Sequence, residues 1–136
     1  MWNAAWRMIQ DKPWLGHGLN TFMANYMKYA VGATQGPAYA HNCFLQITAE
    51  TGVLGIALFL AFLGGWLKTV LQALKQGMES SPLPLKPLLA GVTAALVAFL
   101  VQSAFDTNLY SLRQAVLFWS LNGLSVGIAT RILRSS

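Results

Sequence analysis

Charged side chains are scarce in this chain of 136 residues: Asp, Glu, Lys and Arg together make up 10%, against roughly 25% in an average soluble domain. Hydrophobic residues make up 55%, and the mean hydropathy is +0.48. A disordered tail does not carry so much apolar side chain, and an ordinary soluble globule of this length could not bury it. The single cysteine, Cys43, excludes an intramolecular disulfide and a cysteine-based zinc site. A glycine-rich phosphate loop, a serine nucleophile elbow and a carboxylate cluster for a metal are missing, and His17 and His41 are not spaced as a metal pair on a helix. Residues 1–20 contain Arg7, Asp11, Lys12 and Pro13 and no continuous apolar run, so they do not form a secretory signal. The class left standing is a polytopic membrane segment, one domain at most.

Three stretches are long enough to span a bilayer core, about 44–67, 88–105 and 114–130, with Glu50 the only charge inside them. Lipid offers no partner to open backbone, so these are expected to be helices. The fold class expected is therefore all-α: three transmembrane helices (residues 44–136) preceded by an extracytoplasmic loop with short interfacial helices (residues 1–43). A first span beginning past residue 40 with no export signal ahead of it is the pattern of a fragment of a longer protein. Lys68, Lys75 and Lys86 lie on the link between spans one and two, and Arg131 and Arg134 follow span three. Alternation of sides puts these five cations on one face, expected to be cytoplasmic. The formal net charge of +5 is thus explained mostly by topology, and nucleic acid is not an expected partner. The link Gln76–Pro87, with Ser80, Ser81, Pro82, Pro84 and Pro87, is expected to be a loop, as is Val31–Pro37.

Within the outer segment, Trp2, Ala5, Trp6 and Ile9 recur at helical spacing, opposite Asn3, Arg7 and Gln10. This pattern predicts a short amphipathic helix, in the interface or against other spans, ended by Asp11-Lys12-Pro13. Trp14 to Gly18 is expected to turn tightly, and Asn20 to cap a second short helix.

Ionisable groups at a membrane boundary are costly unless used, which singles out four sets. His41 and Asn42 stand at the outer mouth of the first span, where a histidine can serve as a general base or simply hydrogen-bond backbone and head groups. Glu50, nine residues on, falls on the opposite helical face, which argues against a direct dyad with His41 and suggests a cation partner such as Arg113 or Arg7. His41, Leu45, Thr48 and Gly52 share a face of one continuous helix, with Gly52 and Gly55 opening a groove or permitting close helix packing. Asp106, Thr107, Asn108 and Arg113 form the second outer link, where Asp106 caps span three or pairs with an outer cation; Arg7, Lys28 and Arg113 are cations suited to an anionic head group or to snorkelling toward lipid phosphate.

Pro13-Trp14-Leu15-Gly16-His17-Gly18 resembles the P-x-x-G-x-G element of the O-antigen ligase and polymerase superfamily. The stretch from His41 to Gly55 resembles that family's H-N-x-x-L-x-x-x-x-E-x-G-x-x-G signature, in which ten residues separate the histidine (His41) from a glycine (Gly52). Phe105-Asp106 and the last span with Trp119 also fit the family's C-terminal end. The resemblance implies a polytopic, metal-independent glycosyltransferase of the bacterial inner membrane without a cofactor. Such an enzyme moves a glycan from undecaprenyl pyrophosphate to a lipid, glycan or protein hydroxyl on the periplasmic side. It implies His41 as the base and arginines of the outer loop and neighbouring helices holding the pyrophosphate. The candidate site expected in this chain is therefore His41 and Glu50 as the catalytic set, with Asn42, Gly52, Arg7 and Arg113 binding substrate, although Arg7 is not at the family's arginine position. The family's loop arginine normally lies a few residues before the tryptophan matched by Trp2, outside this chain. The N-terminal spans that complete the cavity are likewise expected partners, and the chain alone is expected to be inactive. Two other classes compete: a transporter of a small solute such as inorganic carbon, which would show inverted repeats or broken helices, and a non-catalytic packing module, in which His41 is dispensable.

Overall fold

The computed structural model describes residues 1–32, 39–76 and 84–135. Among these residues the protein is all helical: α1 (Trp2–Asp11), α2 (Phe22–Tyr29), α3 (Cys43–Lys75), α4 (Leu85–Ser103), one turn of 3-10 helix (Asn108–Tyr110) and α5 (Leu112–Arg134). α3, α4 and α5 are long and apolar enough to cross a membrane. The expected loops at Val31–Pro37 and Gln76–Pro87 fall largely on residues 33–38 and 77–83, which lie outside the described residues.

The local sequence accounts for the helix ends. Pro87 sits in the first turn of α4, where a missing N–H costs no helical hydrogen bond. Arg131 and Arg134 occupy the last turn of α5, and Lys75 that of α3, where a cation complements the helix dipole. Lys86 Nζ donates to the Gln76 carbonyl at the end of α3.

Two cores form. The first joins the three long helices: Trp66, Val70 and Ala73 of α3 pack with Leu89 and Leu96 of α4 and with Phe118, Ile128 and Ile132 of α5. The Trp66 indole N–H donates to Ser125 Oγ at 2.8 Å, tying α3 to α5. These contacts gather the end of α3, the start of α4 and the end of α5 at one pole. Lys75, Lys86, Arg131 and Arg134 therefore share that pole. At the other pole, the Cys43 amide donates to the Asp106 carbonyl at 3.1 Å. Asn122 of α5 is buried, and neither polar atom of its amide has a partner among the described residues.

The second core is an outer cap. It joins Ala4, Ala5, Met8 and Ile9 of α1 to Phe22 and Tyr26 of α2 and to Ala40 and Ala49. The buried stripe of α1 thus differs from the expected one. Trp2 and Trp6 are half exposed, because Ala4 and Ala5 are small enough to let α1 approach the start of α3 where an indole would not fit.

α3 is not the single uninterrupted helix expected over 44–67. It runs on to Lys75 and is broken at Gly52, whose φ of 70° and ψ of −174° are non-helical. The rings of Phe44 and Phe59 lie 6.5 Å apart. In an unbroken helix fifteen residues would separate them by about 22 Å along the axis. The break therefore folds a short arm (43–51) back across the top of a long arm (53–75). The long arm alone measures about 34 Å, enough to span.

Candidate functional site

The break at Gly52 frees backbone groups that an unbroken helix would pair internally, and the loop between α1 and α2 takes them up. The amides of His17 and Gly18 donate to the carbonyls of Ala49 (3.1 Å) and Glu50 (2.8 Å). In return the Val53 and Leu54 amides donate to the carbonyls of Pro13 (2.7 Å) and Trp14 (3.4 Å). Only glycine permits this approach from either side. A Cβ on Gly16 would stand 2.4 Å from the Glu50 carbonyl, and one on Gly52 would stand 2.2 Å from the Trp14 oxygen. Gly52 thus does not line an open groove beneath His41; the 13–18 loop fills that space.

Glu50 is buried and its partners are donors rather than the expected cation. Its carboxylate accepts from the Asn20 amide (2.8 Å), the Phe22 amide (3.1 Å) and the Tyr110 hydroxyl (3.0 Å), with the Gln46 side-chain amide at 3.4 Å. Burial, and next to it the Glu50 charge, hold Tyr110 well above the usual tyrosine range, so it stays a donor. Glu50 also supplies the cap expected from Asn20. Asn20 adopts a left-handed φ of 57°, Thr21 is the N-cap of α2 without a side-chain bond, and the carboxylate receives the Phe22 amide in its place. One carboxylate clasps the short arm of α3, the start of α2 and the 3-10 turn together.

His41 lies just before the helix, so the expected face shared with Leu45, Thr48 and Gly52 does not exist. Asn42 is the N-cap of α3, its Oδ1 accepting from the Leu45 amide at 2.9 Å. Asn42 also donates to the Ala104 carbonyl at 2.8 Å, which pins the start of α3 to the end of α4. His41 takes a left-handed φ of 53°, a conformation costing about 1–2 kcal/mol in a non-glycine residue. Its Nδ1 then lies 3.5 Å from Asp106 Oδ1, with both side chains about half exposed. Asp106 does not cap α5; its Oδ1 accepts from the Thr107 amide at 2.7 Å, which fixes the carboxylate. An imidazole whose Nδ1 faces a fixed carboxylate keeps its Nε2 side available for a proton.

Asn108 supports this pair from below. Its Oδ1 accepts from the Cys43 thiol (3.2 Å), the Ser103 hydroxyl (2.7 Å) and the Leu109 amide (2.9 Å), and its amide donates to the Phe99 carbonyl at 3.3 Å. Sequence reasoning left Asn108 and Tyr110 without these roles and did not pair Asp106 with His41. The available signal was an amide and a carboxylate in a short link between two spans, where unused polar groups are costly.

The expected cations stand apart from one another. Arg7 Nη1 donates to the Tyr29 carbonyl at the end of α2, at 3.2 Å. Arg113 is exposed in the first turn of α5, and its side chain has no hydrogen bond or ion pair among the described residues. His17 is enclosed, its side chain 3% exposed, with Nε2 donating to the Met8 carbonyl at 3.0 Å. Among the described residues no three His, Cys, Asp or Glu side chains gather as a metal's ligands would. The structure thus brings His41, Asn42 and Asp106 together at one pole. It draws Glu50 and Gly52 into the clasp with residues 13–22.

Residues 1–60 match the family model described as O-antigen ligase. The matched stretch holds both motifs, Pro13–Gly18 and His41–Gly55, and bears out the resemblance read from them. It covers α1, α2 and the helix break, and stops before Asp106. Neither a curated protein nor a solved structure matches the chain.

Proposed function

We propose that this chain is part of a membrane-embedded glycosyltransferase of O-antigen ligase type. It acts on a glycan carried by undecaprenyl pyrophosphate, on the periplasmic side of the bacterial inner membrane. The observation that carries the reading is the half-exposed His41–Asp106 pair, set in a left-handed backbone turn at the pole opposite the basic residues. His41 Nε2 takes the proton of the acceptor hydroxyl as its oxygen attacks the anomeric carbon of the sugar. The bond from that carbon to the pyrophosphate oxygen breaks, and the carrier leaves as the pyrophosphate anion. Asp106 holds the imidazole in the tautomer that leaves Nε2 free and stabilises the imidazolium that forms. Arg113, and Arg7 beside the end of α2, are the cations of this chain suited to the leaving pyrophosphate. The acceptor is a lipid, glycan or protein hydroxyl, and the N-terminal spans of the full-length protein complete the cavity.

Glu50 takes a positioning role in this reading. The oxygens of its buried carboxylate are already taken up by two amides and a phenol, and these bonds fix the outer cap over the short arm of α3. The break in α3 is a feature also found in transporters, which the sequence did not reveal. A transport site needs open backbone at the break, whereas Ala49, Glu50, Val53 and Leu54 here bond to the 13–18 loop. In the full-length protein, His41→Ala with membrane insertion intact is expected to abolish glycan transfer from the lipid carrier. Unchanged transfer removes His41 from the mechanism.

A further inference from the structure

At the basic pole, Gly127, Thr130, Arg131, Arg134 and Ser135 line an open hollow of about 370 Å³ on α5. At 100° per residue these positions form one stripe, centred about 140° round the helix from the buried Ile128, Ala129 and Ile132, and Gly127, Arg131 and Arg134 in it are exposed. The stripe therefore looks away from the bundle. A Cβ placed on Gly127 would meet nothing within 4 Å, so the glycine leaves real space beneath the two guanidinium groups. Arg131 and Arg134 have no ion pair or side-chain hydrogen bond among the described residues. Lys86 at the same pole, by contrast, already donates to the Gln76 carbonyl. α5 rises about 34 Å over its length, so its last turn reaches the polar boundary of the bilayer when its first turn stands at the other boundary.

We infer that this hollow binds the phosphate of an anionic phospholipid in the leaflet at the basic pole. Two arginines one turn apart can each present paired N–H donors to phosphate oxygens. The space over Gly127 takes the glycerol and the first methylenes of the acyl chains. A zwitterionic head group has no net charge to set against the two cations, whereas an anionic one does.

The test uses the whole chain in nanodiscs of phosphatidylcholine containing 30% phosphatidylglycerol (an experimental setting of roughly the anionic fraction that polybasic contacts need). Native mass spectrometry counts the lipids retained. Preferential retention of phosphatidylglycerol is expected, falling roughly tenfold or more in Arg131→Gln/Arg134→Gln and unchanged in Lys68→Gln, whose residue lies outside the hollow. Equal retention of both lipids, or of phosphatidylglycerol by the double variant, overturns the assignment. Displacement of the lipid by millimolar inorganic phosphate also overturns it, since the ligand would then be a free anion. So does a second copy of the chain cross-linked across Gly127 in place of lipid. None of these readings depends on glycan transfer, so the lipid site and the proposed enzyme stand or fall separately.

Discussion

Gly52 and Trp14 meet backbone to backbone, with the Trp14 carbonyl standing where a side chain on Gly52 would begin. Glycine at this position permits both the reversal of α3 and the stitching of the 13–18 loop into the break. Gly52→Ala is expected to destabilise the protein by at least about 2 kcal/mol, since its φ and ψ are open essentially to glycine alone and the Trp14 backbone must also move. Gly64→Ala, in a helical stretch with open space around it, is expected to be neutral or stabilising by up to about 1 kcal/mol. Denaturation of both variants in detergent micelles checks the contrast; equal loss in the two denies the break its role.

Glu50→Gln puts an amide NH2 where one carboxylate oxygen now accepts from backbone N–H or the Tyr110 hydroxyl. Leaving a buried donor unpaired costs about 1–3 kcal/mol. Hydrogen exchange at Asn20 and Phe22 is expected to quicken together with any fall in glycan transfer. A fall in transfer with exchange unchanged would return Glu50 to direct chemistry.

Asn122 supplies a test of the long-helix core. Its amide is enclosed and unpaired among the described residues, so Asn122→Leu, of similar size, is expected to stabilise the bundle by about 1 kcal/mol. A destabilisation of that size in thermal unfolding would mean the amide has a partner in the membrane.

The cap is expected to loosen in acid through Asp11. The Tyr29 hydroxyl donates to its Oδ2 at 2.5 Å, and that bond holds the Asp11 carboxyl below its ordinary value. A carboxylate lowered on folding contributes stability that is complete above its unfolded value, near about 4. That contribution is lost as pH falls through the lower folded value. Proteolysis between α1 and α2 is expected to rise below about pH 4 in the native chain and to lose that step in Asp11→Asn. An identical acid response in both would assign the loosening elsewhere.

Much of this arrangement was legible in the sequence, and what escaped had a common cause. Long apolar runs report helices whatever their neighbours do, so the three spans, and with them Lys75, Lys86, Arg131 and Arg134 at one pole, could be read from hydropathy. Motif glycines marked Gly16 and Gly52, but periodicity assumes an unbroken helix and so carried His41, Leu45 and Gly52 onto one face. The reversal depends on the Pro13–Gly18 backbone, about forty residues away in sequence, entering the break. Helical spacing likewise could not show that Glu50 finds amides and a phenol in place of Arg7 or Arg113, or that Asp106 reaches His41. Those partners come from other helices, and tertiary contacts of that kind leave no local pattern.

Transfer at His41 from an exported lipid-linked glycan requires His41 and the basic pole to face opposite compartments. In a Cys43→Ser background, His41→Cys and Lys75→Cys can each be challenged with a membrane-impermeant maleimide added to intact spheroplasts. Labelling of the cysteine at 41 from the periplasmic side, with the one at 75 reached only after the membrane is opened, is the expected result. Labelling of both from the same side would contradict it.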